Sequence, residues 1–172
     1  MGMVLSVPLV IAGIALLVYA NVTKRDQCGI EYDVKLSEDV DKGVKMLKFY
    51  KCNKCGNVVL KLVDGEGSMS CCGELMEEMQ PNTSGAAPEK HMPVVEKFDD
   101  RIEVEVSEVE HPMTEDHMID FIVIDKGCGT YIKPLDPGKP AQAKFYTKHP
   151  GAVRAVYEYC NLHGLWKKDT KE

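Results

Sequence analysis

The chain has 172 residues, 44% of them apolar, and a formal net charge of −6; this is enough apolar content for one ordinary domain or two small ones, and too much for a disordered chain. No Lys/Arg stripe runs along the sequence to track phosphates, so nucleic acid and acidic membrane surfaces are excluded as partners of the folded part. Of its seven cysteines, four are spaced as Cys52-x-x-Cys55 and Cys71-Cys72, which favours reduced, metal-ligating thiolates over a disulfide framework.

Residues 1–23 carry no charged side chain, and the run Val4 to Val22 is mostly Val, Leu, Ile and Ala. About 20 helical residues cross a hydrocarbon core of about 30 Å, so a transmembrane helix is expected here. Pro8 falls in its first turns, where it disturbs a helix least. A cleaved secretory signal is the competing reading, with Val18-Tyr19-Ala20 as a cleavage site, but the basic start of such a signal is missing. Lys24 and Arg25 follow the apolar run, which keeps the remainder facing the cytoplasm; a soluble cytoplasmic or an exported protein is the alternative. Residues 24–45 are polar and acidic with little periodicity and read as a linker. Cys28 within them has no partner motif and reads as an incidental thiol.

A small unit is expected over residues 46–81. Leu47, Phe49 and the run Val58 to Val63 suggest short strands, followed by a turn at Asp64-Gly65-Glu66-Gly67. A segment of about 35 residues needs a metal staple to supplement its core. Pro81 to Pro88 reads as a loop between this unit and a larger one, residues 82–172, whose pattern is β throughout. Ile102, Val104 and Val106 alternate with Glu103 and Glu105; Ile119, Phe121 and Val123 repeat the period of two, as do Val153, Ala155, Tyr157 and Tyr159. Half-buried antiparallel strands are expected from this. Turn signals at Asp99-Asp100, Lys126-Gly127, Asp136-Pro137-Gly138 and His149-Pro150-Gly151 divide them at the spacing of an immunoglobulin-like β-sandwich. The fold class is therefore all-β after the apolar segment.

Two groups of residues carry chemistry. In Cys52-Asn53-Lys54-Cys55-Gly56 the two-residue gap lets both sulfurs face one ion, and Gly56 permits the tight backbone beneath them; Cys71-Cys72 supplies the second pair. Adjacent cysteines project divergently, so chelation by both should strain the site. Zinc and iron fit the spacing equally well. The second group gathers His111 and His117 from one loop, Cys160 and His163 from a Cys-x-x-His pair, and His91 if its loop meets the others at one end of the sandwich. Four imidazoles and a thiolate overfill a tetrahedral zinc site, whereas iron takes five or six ligands and keeps a place for a reactant. By residue chemistry alone a metal site is expected here, with its metal left open.

The residues from about Met46 to Lys168 resemble the desulfoferrodoxins, the two-iron form of superoxide reductase. The resemblance rests on Tyr50-Lys51-Cys52-Asn53-Lys54-Cys55-Gly56-Asn57, Cys71-Cys72-Gly73-Glu74, Glu89-Lys90-His91, His111-Pro112-Met113-Thr114-Glu115-Asp116-His117 and Cys160-Asn161-Leu162-His163-Gly164-Leu165-Trp166, in the family's order. It implies a desulforedoxin-like domain with a distorted Fe(Cys)4 centre on Cys52, Cys55, Cys71 and Cys72. It also implies a sandwich holding an Fe(His)4Cys centre, with His91, His111, His117 and His163 equatorial and Cys160 axial. Glu89 matches a loop carboxylate able to take the sixth position in the oxidised state, and Lys90 a cation near the open site. The family's members are commonly homodimers that take electrons from rubredoxin. Leu75 departs from the pattern, which often has proline there, and Cys128 is unmatched; residues 1–45 lie outside the resemblance.

The implied reaction is the one-electron reduction of superoxide to hydrogen peroxide, after which an external donor must restore the ferrous state. Two rivals stand beside it. A non-catalytic electron carrier needs only the Fe(Cys)4 unit and a closed second site, and a zinc-stapled binding module needs no redox metal.

Overall fold

The structure, a computed structural model, describes residues 23–25, 31–33, 46–83, 88–126, 129–148 and 153–170. The chain forms two compact units, Met1–Lys42 and Gly43–Glu172. In the first, β1 (Thr23–Arg25) pairs antiparallel with β2 (Glu31–Asp33), so part of the stretch expected to be a plain linker forms a strand ladder. The apolar run Val4 to Val22 lies outside the described residues, as do Cys28, Cys128 and His149. Among the described residues no helix is long and apolar enough to cross a membrane.

The described residues of the second unit form strands and one short 3-10 turn. A three-stranded sheet in the order β4-β3-β7 is formed by β3 (Lys48–Lys51), β4 (Val58–Lys61) and β7 (Glu77–Met79), with the ladder of β5 (Ser70–Cys71) and β6 (Glu74–Leu75) beside it in sequence. After the 3-10 turn Pro88–Lys90 come β8 (Pro93–Lys97), β9 (Arg101–Val106), β10 (Ile119–Asp125), β11 (Thr130–Pro134), β12 (Gln142–Tyr146), β13 (Ala155–Cys160) and β14 (Gly164–Asp169). They make two antiparallel sheets, β12-β9-β8 and β11-β10-β13-β14. Consecutive strands β9 and β10 lie in opposite sheets and β12 returns to pair with β9, so connections pass between layers as in a sandwich.

Between the sheets Ile102, Val104 and Val106 meet Ile119, Ile122, Ile124, Val156 and Phe145 in one buried cluster. The alternation along β9 is as its sequence predicts, with glutamates outward. β10 departs from its predicted face. Its ladder with β13 slips between Ile119 and Phe121, a bulge that adds one residue and reverses the facing of the residues beyond it. Ile119 therefore shares the inner face with Ile122 and Ile124, while Phe121 and Val123 point out of the sandwich.

That outer face is also covered. Phe49 on β3 packs against Tyr157 and Phe121, with ring centroids 5.4 and 6.1 Å apart. Around it Val123, Ala155, Tyr159 and Leu165 join Leu47, Val58, Leu60 and Met79 in a second cluster. The small sheet is thus a lid on the four-stranded sheet, and every residue of β13 is buried. The expectation of half-buried strands fails here because a strand covered on both sides has no solvent face to mark in its sequence.

The segment expected to be a plain loop after Pro81 is anchored. Asn82 forms a parallel bridge with Trp166; its N–H donates to Leu165 O at 2.8 Å and its carbonyl accepts from Lys167 N at 3.0 Å. Its side-chain amide donates to His163 O at 3.3 Å.

Candidate functional site

The four cysteines of the small sheet converge. Cys55 Sγ lies 3.6 Å from Cys71 Sγ, and Cys71 Sγ lies 3.9 Å from Cys72 Sγ. A tetrahedron with metal–sulfur bonds of about 2.3 Å has edges of about 3.8 Å, so the sulfurs stand at chelating separation. The Cys52–Gly56 turn is closed by Gly56 N donating to Cys52 O and Cys52 N donating to Asn57 O, both at 2.9 Å. Gly56 has φ of 77°, a value that a residue with a Cβ adopts only at a cost. The predicted strain of adjacent cysteines is carried in the backbone: Cys72 has φ of 52°, the left-handed region that brings its sulfur round beside that of Cys71.

Backbone N–H groups, that of Cys55 first, hold the Cys52 thiol down to about 7. Cys72 is pushed up to about 12, chiefly by its contact with Cys55. One thiol ionises readily and its neighbours then resist, so a cation is what allows all four to be thiolates together. Cys52 is buried, whereas Cys55 and Cys72 are exposed, which leaves one edge of the set at the surface.

The second set assembles at one end of the sandwich. His91 follows the 3-10 turn, its N–H bonded to Pro88 O at 3.1 Å. His111 precedes and His117 closes a tight turn in which Thr114 and His117 exchange backbone hydrogen bonds of 3.0 and 3.1 Å. Cys160 ends β13 and His163 lies in its turn into β14. Their rings close a square: His91 to His111 is 4.8 Å, His111 to His117 4.7 Å, His117 to His163 4.9 Å and His163 to His91 4.8 Å between centroids. Interplanar angles of 64, 79, 67 and 65° around the square stand the rings as vanes about one centre.

Hydrogen bonds pick out the nitrogens that face that centre. His91 Nδ1 is 3.0 Å from Glu158 Oε1 and His111 Nδ1 is 2.6 Å from Pro112 O, which leaves their Nε2 atoms free. His111 Nε2 and His117 Nε2 are buried without a protein partner, an arrangement too costly to persist unless something else satisfies them. His163 offers Nδ1, 3.3 Å from Cys160 Sγ. Donor atoms of His91, His111, Cys160 and His163 all lie within 4.8 Å of one another. His117 falls outside that limit, and its ring closes the fourth side of the square.

Burial lowers His111 and His117 and holds His91 down to about 4, with neighbouring imidazoles and the Lys90 ammonium adding to it. All three are thereby kept neutral, the form that binds metal. Burial pushes the Cys160 thiol up, so its thiolate needs a cation beside it. Both donor sets fit a metal.

The two loop residues divide. Lys90 is exposed on the 3-10 turn, and its charge bears on three of the four imidazoles. Glu89, also exposed, lines a shallow cleft with Met92, Glu108 and Lys168, none of them a predicted ligand.

Three supporting residues were not assigned roles by sequence. Asn161 accepts from Met118 N and donates its own N–H to Met118 O, both at 3.1 Å, which ties the His117 turn to the Cys160 turn. Glu158 is fully buried against His91, and Trp166 stacks on the His91 ring at 4.7 Å and 9°. Asn161 and Trp166 stand inside the motif that carried the resemblance, but spacing says nothing of their contacts; Glu158 carries no signal beyond a charge in an apolar run.

Comparison with known proteins agrees with this architecture. The family model described as desulfoferrodoxin matches residues 83–169, and that of the desulfoferrodoxin N-terminal domain residues 45–79. A desulfoferrodoxin of Syntrophotalea carbinolica is 45% identical over 124 residues, 72% of this chain and 96% of that protein. A superoxide reductase of Thermococcus kodakarensis is 35% identical over 99 residues, 47% of this chain and 85% of that one. The crystal structure of the superoxide reductase from Treponema pallidum superposes with a TM-score of 0.63 at 28% identity, covering 72% of this chain and 98% of that one. With both family domains present, and with a four-cysteine set and a histidine–cysteine set matching two mononuclear iron sites, the chain belongs to the desulfoferrodoxin family.

Proposed function

We propose that this protein is a superoxide reductase, converting superoxide, one electron and two protons into hydrogen peroxide. The observation that carries the proposal is the square of four imidazoles, three of them held neutral by burial, with the buried Cys160 sulfur beside it and the Lys90 ammonium close by. Cys52, Cys55, Cys71 and Cys72 would hold one iron in residues 46–81; His91, His111, His117, Cys160 and His163 would hold the other in an immunoglobulin-like sandwich over residues 82–172, where a bound ferrous ion would supply the electron. Imidazole ligands would leave the positive charge of such an ion uncancelled, and a Cys160 thiolate would donate electron density to it from within the protein. His91, His111 and Cys160 are buried while His163 is exposed, so a small anion can approach from the solvent side.

Lys90 offsets the net charge of −6, which would repel superoxide, by focusing a local positive field. Glu89 is the loop carboxylate that the family resemblance makes a ligand of the oxidised iron, and it would have to leave its present cleft beside Met92, Glu108 and Lys168 to reach that site. A small one-electron donor of the rubredoxin kind resets the iron, and the surface edge at Cys55 and Cys72 suits contact with it.

Pulse radiolysis of the reduced full chain tests the reaction. The expected result is oxidation of the histidine–cysteine iron at one superoxide per site, with peroxide and no dioxygen formed; a colourless protein or a ferrous site inert to superoxide would overturn it. Lys90→Ala should lower the second-order rate about tenfold at low salt, the lower end of electrostatic steering effects, with iron content unchanged. An equal rate at low ionic strength would remove Lys90 from the mechanism.

The family resemblance also supports a homodimer, and the hydropathy of residues 4–22 supports membrane attachment. Sedimentation of the full chain with and without detergent reads both: a dimer that pellets with membranes until detergent is added is the expected outcome, and a monomer that stays in the supernatant contradicts both.

A further inference from the structure

His91 is the one imidazole of the square delivered from the first loop of the sandwich, far in sequence from His163 and Cys160. It is 2% exposed, and its ring is held by side chains of β13 and β14. Glu158 and Trp166 are directly opposed across that ladder. On β13 the inward residues are Val156, Glu158 and Cys160, so Glu158 shares a face with the thiolate two residues on. Its Oε1 meets His91 Nδ1 at 3.0 Å, while Trp166 lies nearly parallel on the ring, 4.7 Å away and tilted by 9°.

A carboxyl group placed on solvent-free apolar ground is expensive, because its desolvation must be offset by hydrogen bonds. Glu158 is 0% exposed, its Oε2 has no protein partner, and its Oε1 is spent on His91. The cost of burying Glu158 is offset by a single hydrogen bond, that to His91. That bond bears on orientation: an imidazole has two nitrogens, and whichever carries hydrogen is closed to a metal. An acceptor at Nδ1 keeps the hydrogen there and turns the Nε2 lone pair to the centre, while the indole fixes the rotation of the ring plane.

We infer that Glu158 and Trp166 act together as a clamp that positions His91 for metal binding, Glu158 setting which nitrogen is presented and Trp166 setting the plane. This rests on the reading of His91, His111, His117, Cys160 and His163 as one ligand set. Glu158 is a positioning residue: it touches a ligand rather than the reactant. Loss of such an outer partner typically weakens metal affinity about 10–100-fold.

The test is ferrous iron binding by the full chain in competition with a chelator, with absorbance of the four-cysteine centre as an internal control of folding. Glu158→Leu fills the space without an acceptor and should weaken iron at the histidine–cysteine set about 10–100-fold. Glu158→Gln keeps a carbonyl acceptor and should fall within about threefold of the parent, on the same scale of effects. Trp166→Phe, which retains a stacking face, should bind better than Trp166→Leu. If Glu158→Leu is too unstable to assay, 15N chemical shifts of His91 in the zinc-loaded Glu158→Gln protein and in the parent decide the matter: Nδ1–H in both supports the clamp, and Nε2–H in the parent overturns it. Equal affinities of the Leu, Gln and parental proteins would also overturn it. A parent that binds no second iron at all defeats the ligand reading itself, a different result from a parent that binds and variants that bind equally.

Discussion

Cys160→Ser is expected to slow the oxidation of the reduced protein by superoxide more than about a hundredfold, since even outer partners of a metal ligand are worth about 10–100-fold. Serine preserves the volume of a side chain that is 0% exposed, so packing between the sheets should survive. What changes is the donor. Burial pushes the Cys160 thiol up, and Glu158 and Asp120 add to the push; a thiol nonetheless ionises beside a cation, whereas a serine hydroxyl at the same place stays protonated and hard. The visible spectrum of the four-cysteine centre should be unchanged, because Cys52, Cys55, Cys71 and Cys72 form a separate set. Rates within about threefold of the parent at equal iron content, far short of that scale, would remove the thiolate from the reaction.

Phe49→Ala is expected to cost about 3–5 kcal/mol of stability, the usual range for emptying a buried aromatic site. Phe49 is 2% exposed and touches the rings of both Tyr157 and Phe121, so its loss leaves a hole where the small sheet meets the sandwich. In a chain of this size that corresponds to a fall in melting temperature of about 10 °C. The loss should appear as earlier bleaching of the four-cysteine absorbance, while the histidine–cysteine centre, built wholly from the sandwich, persists to higher temperature. Simultaneous loss of both centres in the variant would mean that the lid and sandwich unfold as one.

Much of the candidate site was legible because ligand chemistry leaves short-range marks. Cys52-x-x-Cys55 and Cys160-x-x-His163 reveal themselves by spacing, and the order of the remaining histidines carries the family pattern. Strand faces were less legible. The bulge after Ile119 is a one-residue slip with no residue type to announce it, and it moves Phe121 and Val123 away from the face their period assigns. Along β13 the period of two selected Ala155, Tyr157 and Tyr159 as the core side, but these face the small sheet, and the sandwich interior takes Val156, Glu158 and Cys160. A glutamate among tyrosines reads as solvent-facing, so nothing in sequence marks Glu158 as the partner of His91. The contact joins residues 67 positions apart; only the folded ladder brings them together.

The bridge between Asn82 and β14 bears on how the sandwich avoids sticking to other chains. A four-stranded sheet has two edges, and each offers a row of unpaired backbone groups to any passing strand. At the middle of β14 the chain covers that row with itself, since Asn82 takes up Leu165 O and Lys167 N. Among the described residues no strand pairs with the outer side of β11, and every residue of it is exposed, but the strand is only five residues long and ends in Lys133 and Pro134, a charge and an imino acid that both discourage strand addition. One edge is protected by partial occupation and the other by composition, so Asn82→Pro, which removes the N–H that Leu165 O receives, is expected to aggregate faster than the parent at equal concentration, as read by light scattering.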